Sequence, residues 1–310
     1  MERVTFGRTG LKVSPLGFGG GPVGFLDTEA SRVADILRFL HERGVNLIDT
    51  AAAYQGSEEV IGKAITGQRD DWVIVSKCGH ETPGITAPAW SAALITQSVD
   101  RSLSRLGIEY LDAMLLHSCE LDTLQQGDAL SALLEARRVG KIRHVGYSGD
   151  NHAAVWAAAH PEIDVLETSV NICDQTSIDA VMPVAQAHDV AVIAKRPVAN
   201  GAWKAADLQQ GIYRGYAQPY SDRLQRMGVA PSELGFGGDT SAAWPEIALR
   251  FTVGQPGVHT AIIGTTDPAH AAANVAATAR GPLDTPVVVA LREAFRRAEA
   301  ASGEEWVGLR

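Results

Sequence analysis

Gly44-Val45-Asn46-Leu47-Ile48-Asp49-Thr50-Ala51-Ala52-Ala53-Tyr54, continuing into Gly56-Ser57-Glu58-Glu59-Val60-Ile61-Gly62, holds the alternation on which the chain is built. Val45 to Ile48 is a short apolar run bounded by glycine and closed by Asp-Thr, the pattern of a buried strand ending in a carboxylate. A loop of small residues with one tyrosine follows. Ser57, with Glu58 and Glu59 in the next turn, marks a helix start. An acid and a phenol thus leave one strand-loop-helix corner.

The same unit recurs along the chain. Leu16-Gly17-Phe18-Gly19 reads as an earlier strand, and the segment from about Thr28 to Arg43 as its helix, with Val33, Ile36, Leu37 and Leu40 on one face. Strands follow near Trp72-Val75, Leu111-Leu116, Ile142-Gly146, Val165-Val170, Val190-Ala194 and Thr260-Ile263. Helical patterns lie between and after them, near 92–106, 121–138, 153–159, 176–188, 244–251 and 268–279. Eight strand-then-helix units with continuous apolar strands predict a closed parallel (β/α)8 barrel, read as one domain over residues 1–310. Val4 to Val13, turned at Gly10, predicts an N-terminal hairpin cap, and Asp284 to Ala301 an extra C-terminal helix. The gap from Pro197 to Ser241 reads as a long inserted loop rich in aromatics: Trp203, Tyr213, Tyr216, Tyr220 and Phe236.

Composition narrows the function. A 45% hydrophobic and 20% charged chain is neither disordered nor membrane-spanning, and its N-terminus lacks a signal-peptide core, so a cytoplasmic protein is expected. A net charge of -9 argues against a nucleic-acid surface. Cys78, Cys119 and Cys173 are odd in number and set in apolar context, which reads as reduced core thiols, and no spacing suggests a metal site.

In such a barrel the active site forms where strands end, so the polar residues at those ends matter most. Asp49 closes the second strand, with Tyr54 in its loop; Lys77 closes the third and His117 the fourth. A desolvated lysine needs a carboxylate to stay charged, and a charged lysine beside a phenol lowers the phenol pKa from about 10. Tyr54 is therefore expected as a general acid with a lowered pKa, and His117 as a donor to the substrate oxygen.

Asp49-Thr50-Ala51-x-x-Tyr54, Ser57-Glu58-x-x-x-Gly62, Ser76-Lys77 and Leu115-Leu116-His117 resemble the aldo-keto reductase superfamily, as do Gly7-x-Thr9-Gly10-Leu11-x-Val13-Ser14 and Pro256-Gly257-Val258. The resemblance covers nearly the whole chain. It implies hydride transfer between a nicotinamide cofactor and a carbonyl or alcohol substrate, with Asp49, Tyr54, Lys77 and His117 as the catalytic tetrad. It also implies a nicotinamide end at Ser148, Glu167 and Lys195-Arg196-Pro197, and an adenosine end at Gly264-Thr265-Thr266, His270 and Asn274.

Several positions depart from the family pattern. Gly149 stands where asparagine is frequent, Glu167 where glutamine meets the carboxamide, and Lys195 where an aromatic often stacks on the ring. Gly264 and His270 replace frequent basic residues, which weakens the grip expected on a 2′-phosphate. NADP(H) is placed first by family frequency and NAD(H) second. The alternatives are an NAD-dependent sugar or alcohol dehydrogenase, and a cofactor-binding regulatory barrel with little turnover. Gly19-Gly20-Gly21-Pro22-Val23-Gly24 matches a dinucleotide fingerprint, but Pro22 and the run Phe25-Leu26-Asp27 delay the helix that the fingerprint needs, so these glycines read as a tight first loop. Phe25, Trp90 and the aromatics after Pro197 are the expected pocket walls.

Overall fold

The computed structural model describes residues 1–26, 28–205, 208–209, 211, 213–237 and 240–309. Eight parallel strands close into a barrel in simple sequence order. They are β1 (Leu16–Gly19), β2 (Leu47–Asp49), β3 (Val73–Cys78), β4 (Leu111–His117), β5 (Ile142–Ser148), β6 (Val165–Ser169), β7 (Ala191–Lys195) and β8 (Thr260–Ile263), and β8 pairs back onto β1. Helices follow the strands on the outside, as in a (β/α)8 barrel. Asp49, Lys77 and His117 are strand residues, not loop residues just beyond the strands.

Two layers of packing follow from the two faces of each strand. Leu47, Val73, Val75, Ala113, Leu115, Val165, Ala191, Ile193 and Ile262 fill the barrel interior. Ile48, Ile74, Met114, Leu116, Leu166 and Val192 point the other way, into the layer shared with the helices. With both faces buried, the strands read as continuous apolar runs rather than alternating ones.

The N-terminal hairpin pairs Val4–Thr5 with Lys12–Val13 and closes the floor of the barrel. Phe6 and Val13 join the interior cluster, while the Arg8 guanidinium bonds the Pro161 carbonyl at 2.9 Å and the Asp164 carboxylate at 3.2 Å, at the entry to β6. Asn46, just before β2, accepts from the Ser14 amide and donates to the Lys12 carbonyl, both at 2.8 Å. The plug at this end leaves the other mouth open.

Three sequence expectations change. The stretch after Pro197 is not a plain loop: Tyr213–Met227 is a helix, flanked by 3-10 turns at Ala199–Gly201 and Pro231–Leu234, although residues 206, 207, 210, 212, 238 and 239 lie outside the described set. Tyr220 and Trp244 are buried there, in a second apolar cluster with Phe251, Phe295 and Trp306. The glycines after β1 do open a helix, Gly21–Phe25, so helix delay is not what separates them from a dinucleotide fingerprint; Asp27 falls outside the described residues. The difference is the closed barrel itself. Ser57 begins its helix, yet its hydroxyl bonds the Gly20 carbonyl at 3.0 Å and shares a 2.9 Å bond with Thr50, so it ties two loops together instead of capping. The extra C-terminal helix runs Thr285–Ser302, as expected. Among the described residues, no helix is long and apolar enough to cross a membrane.

Gly62 shows how tightly the outer layer is fitted. A Cβ added there would lie 2.4 Å from the Leu106 carbonyl oxygen of the neighbouring helix Ala92–Leu106. Gly62→Ala is expected to cost about 1–3 kcal/mol of stability through this overpacking, read as a lower urea midpoint at unchanged slope.

Candidate active site

The residues at the open mouth obey a period of two. Asp49 lies two residues beyond inward-facing Leu47, Lys77 beyond Val75, His117 beyond Leu115, Glu167 beyond Val165 and Lys195 beyond Ile193. Because successive strand residues alternate faces, each polar residue continues the inner face of its own strand past the last apolar layer. Register sets His117, Ser148 and Glu167 level with one another, and staggers the rest by two residues: Asp49 is opposite Val75, Lys77 opposite Leu115 and Lys195 opposite Ser169, as the tilt of barrel strands requires.

Lys77 is the centre of this layer and has no exposed surface. Its ammonium contacts both Asp49 carboxylate oxygens at 2.6 Å and donates to the Thr50 carbonyl at 3.1 Å. Glu167 Oε2 is 3.2 Å away, and Ser148 donates to Glu167 Oε1 at 3.3 Å. Burial works to lower the Lys77 pKa, but Asp49 and Glu167 outweigh it and hold the ammonium above its ordinary value. Burial, then repulsion from Glu167, pushes the Asp49 carboxyl upward despite Lys77. Two carboxylates compete for one cation.

The Tyr54 ring lies 5.3 Å from the Lys77 ammonium and edge-on to His117, with 5.8 Å between ring centroids. The expected lowering of its pKa does not occur. Burial pushes the phenol up to about 12, and the opposing pull of Lys77 is partly cancelled by Asp49 and Glu167. Tyr54 is therefore a protonated phenol at neutral pH. His117 moves the other way: burial first, then the charges of Lys77 and its cationic neighbours, hold its imidazole well below the ordinary value. A neutral ring carries one N–H donor.

The first loop positions Tyr54 by close backbone contact. A Cβ on Gly24 would lie 2.8 Å from the Tyr54 carbonyl carbon, and one on Gly20 would lie 2.7 Å from the Ser57 hydroxyl. Phe25 packs against Tyr54 with centroids 5.1 Å apart. Glu58 accepts from the Ser76 hydroxyl at 2.8 Å and faces Arg105 at 3.6 Å, so the Ser-Glu and Ser-Lys pairs of the sequence join helix to strand beneath the site.

A cleft of about 1900 Å³ runs from this mouth toward β8 and the helix Pro268–Ala279. Asp49, Tyr54 and His117 line one end, while Lys77 lies beneath the surface. Ser148, Glu167, Lys195, Arg196 and Pro197 follow, then Gly264, Thr265, Thr266, His270 and Asn274, so the cleft gathers every expected cofactor residue. Phe25, Trp203, Tyr213 and Tyr216 are also on its wall. Trp90 stands behind, its ring 5.0 Å from that of His80, which lines the cleft.

Asp150, Asp267, Arg32 and Arg280 escape the sequence reading. Asp150 is fully buried, takes the Lys195 ammonium at 2.8 Å, and accepts from the Ser169 amide and the Thr168 hydroxyl. Burial acts to raise its carboxyl, but Lys195 prevails and holds it below the usual range. Its signal was indirect: a strand-end lysine requires a counter-charge. Asp267 is the N-cap of the last barrel helix, accepting from the Ala269 amide at 2.8 Å, and Thr265 Oγ1 accepts from the Asp267 amide at 3.1 Å. Arg32 comes from the helix Ala30–Glu42, and Arg280 from the C-terminus of the helix Pro268–Ala279 that also carries His270 and Asn274.

A parallel barrel with a carboxylate, ammonium, imidazole and phenol gathered at its C-terminal mouth is the framework of a barrel enzyme. The profile of the aldo/keto reductase family matches residues 15–295, and the chain belongs to that family of oxidoreductases acting on carbonyl and alcohol substrates. An L-galactose dehydrogenase from Arabidopsis thaliana is 28% identical over 297 residues, covering 89% of this chain and 88% of its own. An NADH-specific methylglyoxal reductase from Escherichia coli is 25% identical, with 89% and 93% covered. The solved holo form of the aldo-keto reductase AKR11C1 from Bacillus halodurans superposes with a TM-score of 0.79 at 26% identity, covering 95% of this chain and 96% of that one.

The neutral state of His117 has a pH consequence. The unfolded chain takes up this proton near pH 6.5 whereas the folded protein resists it, so His117 subtracts stability as the pH falls below about 6.5. Its ring resonances are expected to show no titration between about pH 8 and pH 6 by NMR, where an exposed histidine moves through its midpoint. A midpoint in that window would place the ring in a solvated setting.

Proposed function

We propose that this chain transfers hydride between NAD(P)(H) and the carbonyl or alcohol carbon of a small molecule, with Tyr54 as the proton donor and acceptor. The observation that carries this reading is the convergence of Asp49, Tyr54, Lys77 and His117 at one end of a cleft whose other end is the β8 loop and its helix. A volume of about 1900 Å³ exceeds that of most single small-ligand sites and suits a dinucleotide with a substrate beside it. The His117 Nδ1 and Glu167 Oε2 atoms are buried without a hydrogen-bond partner among the described residues, as polar atoms reserved for bound groups would be.

A bound nicotinamide supplies or accepts the hydride. In the reductive direction, Tyr54 gives its phenolic proton to the substrate oxygen. Lys77, kept charged by Asp49, stabilises the phenolate that remains. His117 donates its one N–H to the same oxygen and fixes the orientation of the substrate. Oxidation of an alcohol runs these steps backward. Ser148, Glu167, Lys195, Arg196 and Pro197 would hold the nicotinamide half, and Gly264, Thr265, Thr266, His270 and Asn274 the adenosine half.

Family frequency puts NADP(H) first. A second reading, NAD(H)-linked oxidation of an alcohol or sugar, is favoured by Asp267. Its carboxylate occupies the helix terminus that an added phosphate would otherwise use, and two anions there repel. The relatives described as an L-galactose dehydrogenase and an NADH-specific reductase lean the same way.

Tyr54→Phe is expected to lower turnover about 10²-fold or more while cofactor affinity, read by fluorescence titration, stays within twofold of the parent. Parent-like turnover would remove the role assigned to Tyr54. Parallel titrations with NADPH and NADH decide the cofactor. Asp267→Asn, which keeps a good N-cap, is expected to tighten NADPH about two- to fivefold and leave NADH unchanged; equal effects on both would disconnect Asp267 from the phosphate.

A further inference from the structure

We propose that Glu167 makes this site select the oxidised, cationic nicotinamide over the reduced, neutral one, by setting a second carboxylate beside the single ammonium of Lys77. The inference rests on the nicotinamide reading above and deepens it.

An ammonium has three N–H donors. Those of Lys77 are matched by the two Asp49 oxygens at 2.6 Å and the Thr50 carbonyl at 3.1 Å. Glu167 is left with a charge contact at 3.2 Å and no donor for Oε2 among the described residues, while its other oxygen has only the 3.3 Å bond from Ser148. The side chain is 3% exposed and borders the cleft. The floor of the site therefore holds two carboxylates against one cation, with one carboxylate incompletely satisfied.

Geometry brings the nicotinamide close to that charge. Hydride must reach the carbon whose oxygen Tyr54 protonates, so the ring lies against the Tyr54 end of the cleft. Lys77 is 5.3 Å from the centre of the Tyr54 ring and 3.2 Å from Glu167, so the carboxylate and the phenol ring flank the same ammonium at this end of the cleft. The reduced dihydropyridine ring is neutral and the oxidised pyridinium carries one positive charge, so only the oxidised form gains from an adjacent anion in a poorly solvated site. The other charges on this part of the wall are the same whichever form of the ring is bound: Lys195 is paired with Asp150 at 2.8 Å, Arg196 bonds the Leu309 carbonyl and lies over Tyr216, and His117 is neutral. A change at Glu167 alone therefore reads its own contribution against that fixed background. A glutamine at 167 would keep the shape and lose the charge.

The test is binding without substrate. Dissociation constants for NAD⁺ and NADH, and for NADP⁺ and NADPH, are measured by calorimetry on the parent protein, Glu167→Gln and Glu167→Asp. The ratio of oxidised to reduced affinity is expected to fall about tenfold in Glu167→Gln, mostly through weaker binding of the oxidised form, and to be largely kept in Glu167→Asp. If both forms bind the parent and the ratio is the same in Glu167→Gln, the selectivity does not come from this carboxylate and the inference is overturned with the nicotinamide reading intact. An equal loss in Glu167→Asp would assign the effect to shape and overturn it as well. If neither form binds the parent, the nicotinamide reading itself fails. Thermal unfolding of each variant separates a lost fold from a lost charge.

Discussion

A lysine ammonium with no exposed surface sets the terms for the open mouth of this barrel. Keeping it charged inside a barrel costs several kcal/mol unless a carboxylate and further acceptors lie within hydrogen-bond reach, and removing one partner of such a pair typically costs about 3–5 kcal/mol. Asp49 and the Thr50 carbonyl meet that need, which fixes the ends of β2 and β3 against each other. The Thr50 amide bonds the Val75 carbonyl and the Ala52 amide bonds the Lys77 carbonyl, so the chain leaving β2 is held along β3 for three more residues. Tyr54 is delivered by the turn that follows. Thr50, Ser57, Glu58 and Ser76 hold this corner together, while Asp49 and Tyr54 line the cleft above Lys77.

The barrel makes this arrangement affordable by dividing its two ends. One end is sealed by Phe6, Val13 and the Arg8 bonds to the start of β6, and the interior between is filled with aliphatic side chains. Most polar residues of the inner face then lie near the open mouth; Thr260, opposite Ile193, and His144, opposite Ala113, stand nearer the sealed end. The apolar layer beneath that mouth strengthens each charge in it, which is why burial dominates the shifts at Asp49, Tyr54 and His117.

The far wall of the cleft depends on the end of the described chain. Thr176 donates to the Trp306 carbonyl, Arg223 to that of Val307, Asn151 exchanges two bonds with Gly308, and Arg196 and Asp174 hold Leu309. Asp174 is itself buried beside Tyr220, and burial pushes its carboxyl up to about 7. This strap ties the loops after β5, β6 and β7 into one surface, and Arg196, whose backbone has a φ of 55°, is held in place by it.

The amino-acid sequence by itself determined the (β/α)8 class, because short apolar runs alternating with amphipathic helices allow few other closed arrangements. It also put Asp49, Lys77 and His117 at strand ends, where strand parity carries the inner face of each strand outward by two residues to a polar side chain, and Tyr54 in the loop after the first of them. It could not reveal the Tyr54 pKa, which depends on the balance between burial and four neighbouring charges brought in by different strands. Nor could it show that the segment after Pro197 forms a helix packed on the C-terminal elements, or that Asp150 neutralises Lys195 and Asp267 closes a helix terminus. Those are contacts between residues distant in the chain or dependent on the exact helix end. Local pattern decides which face a residue shows; only the closed barrel decides which charge it meets there.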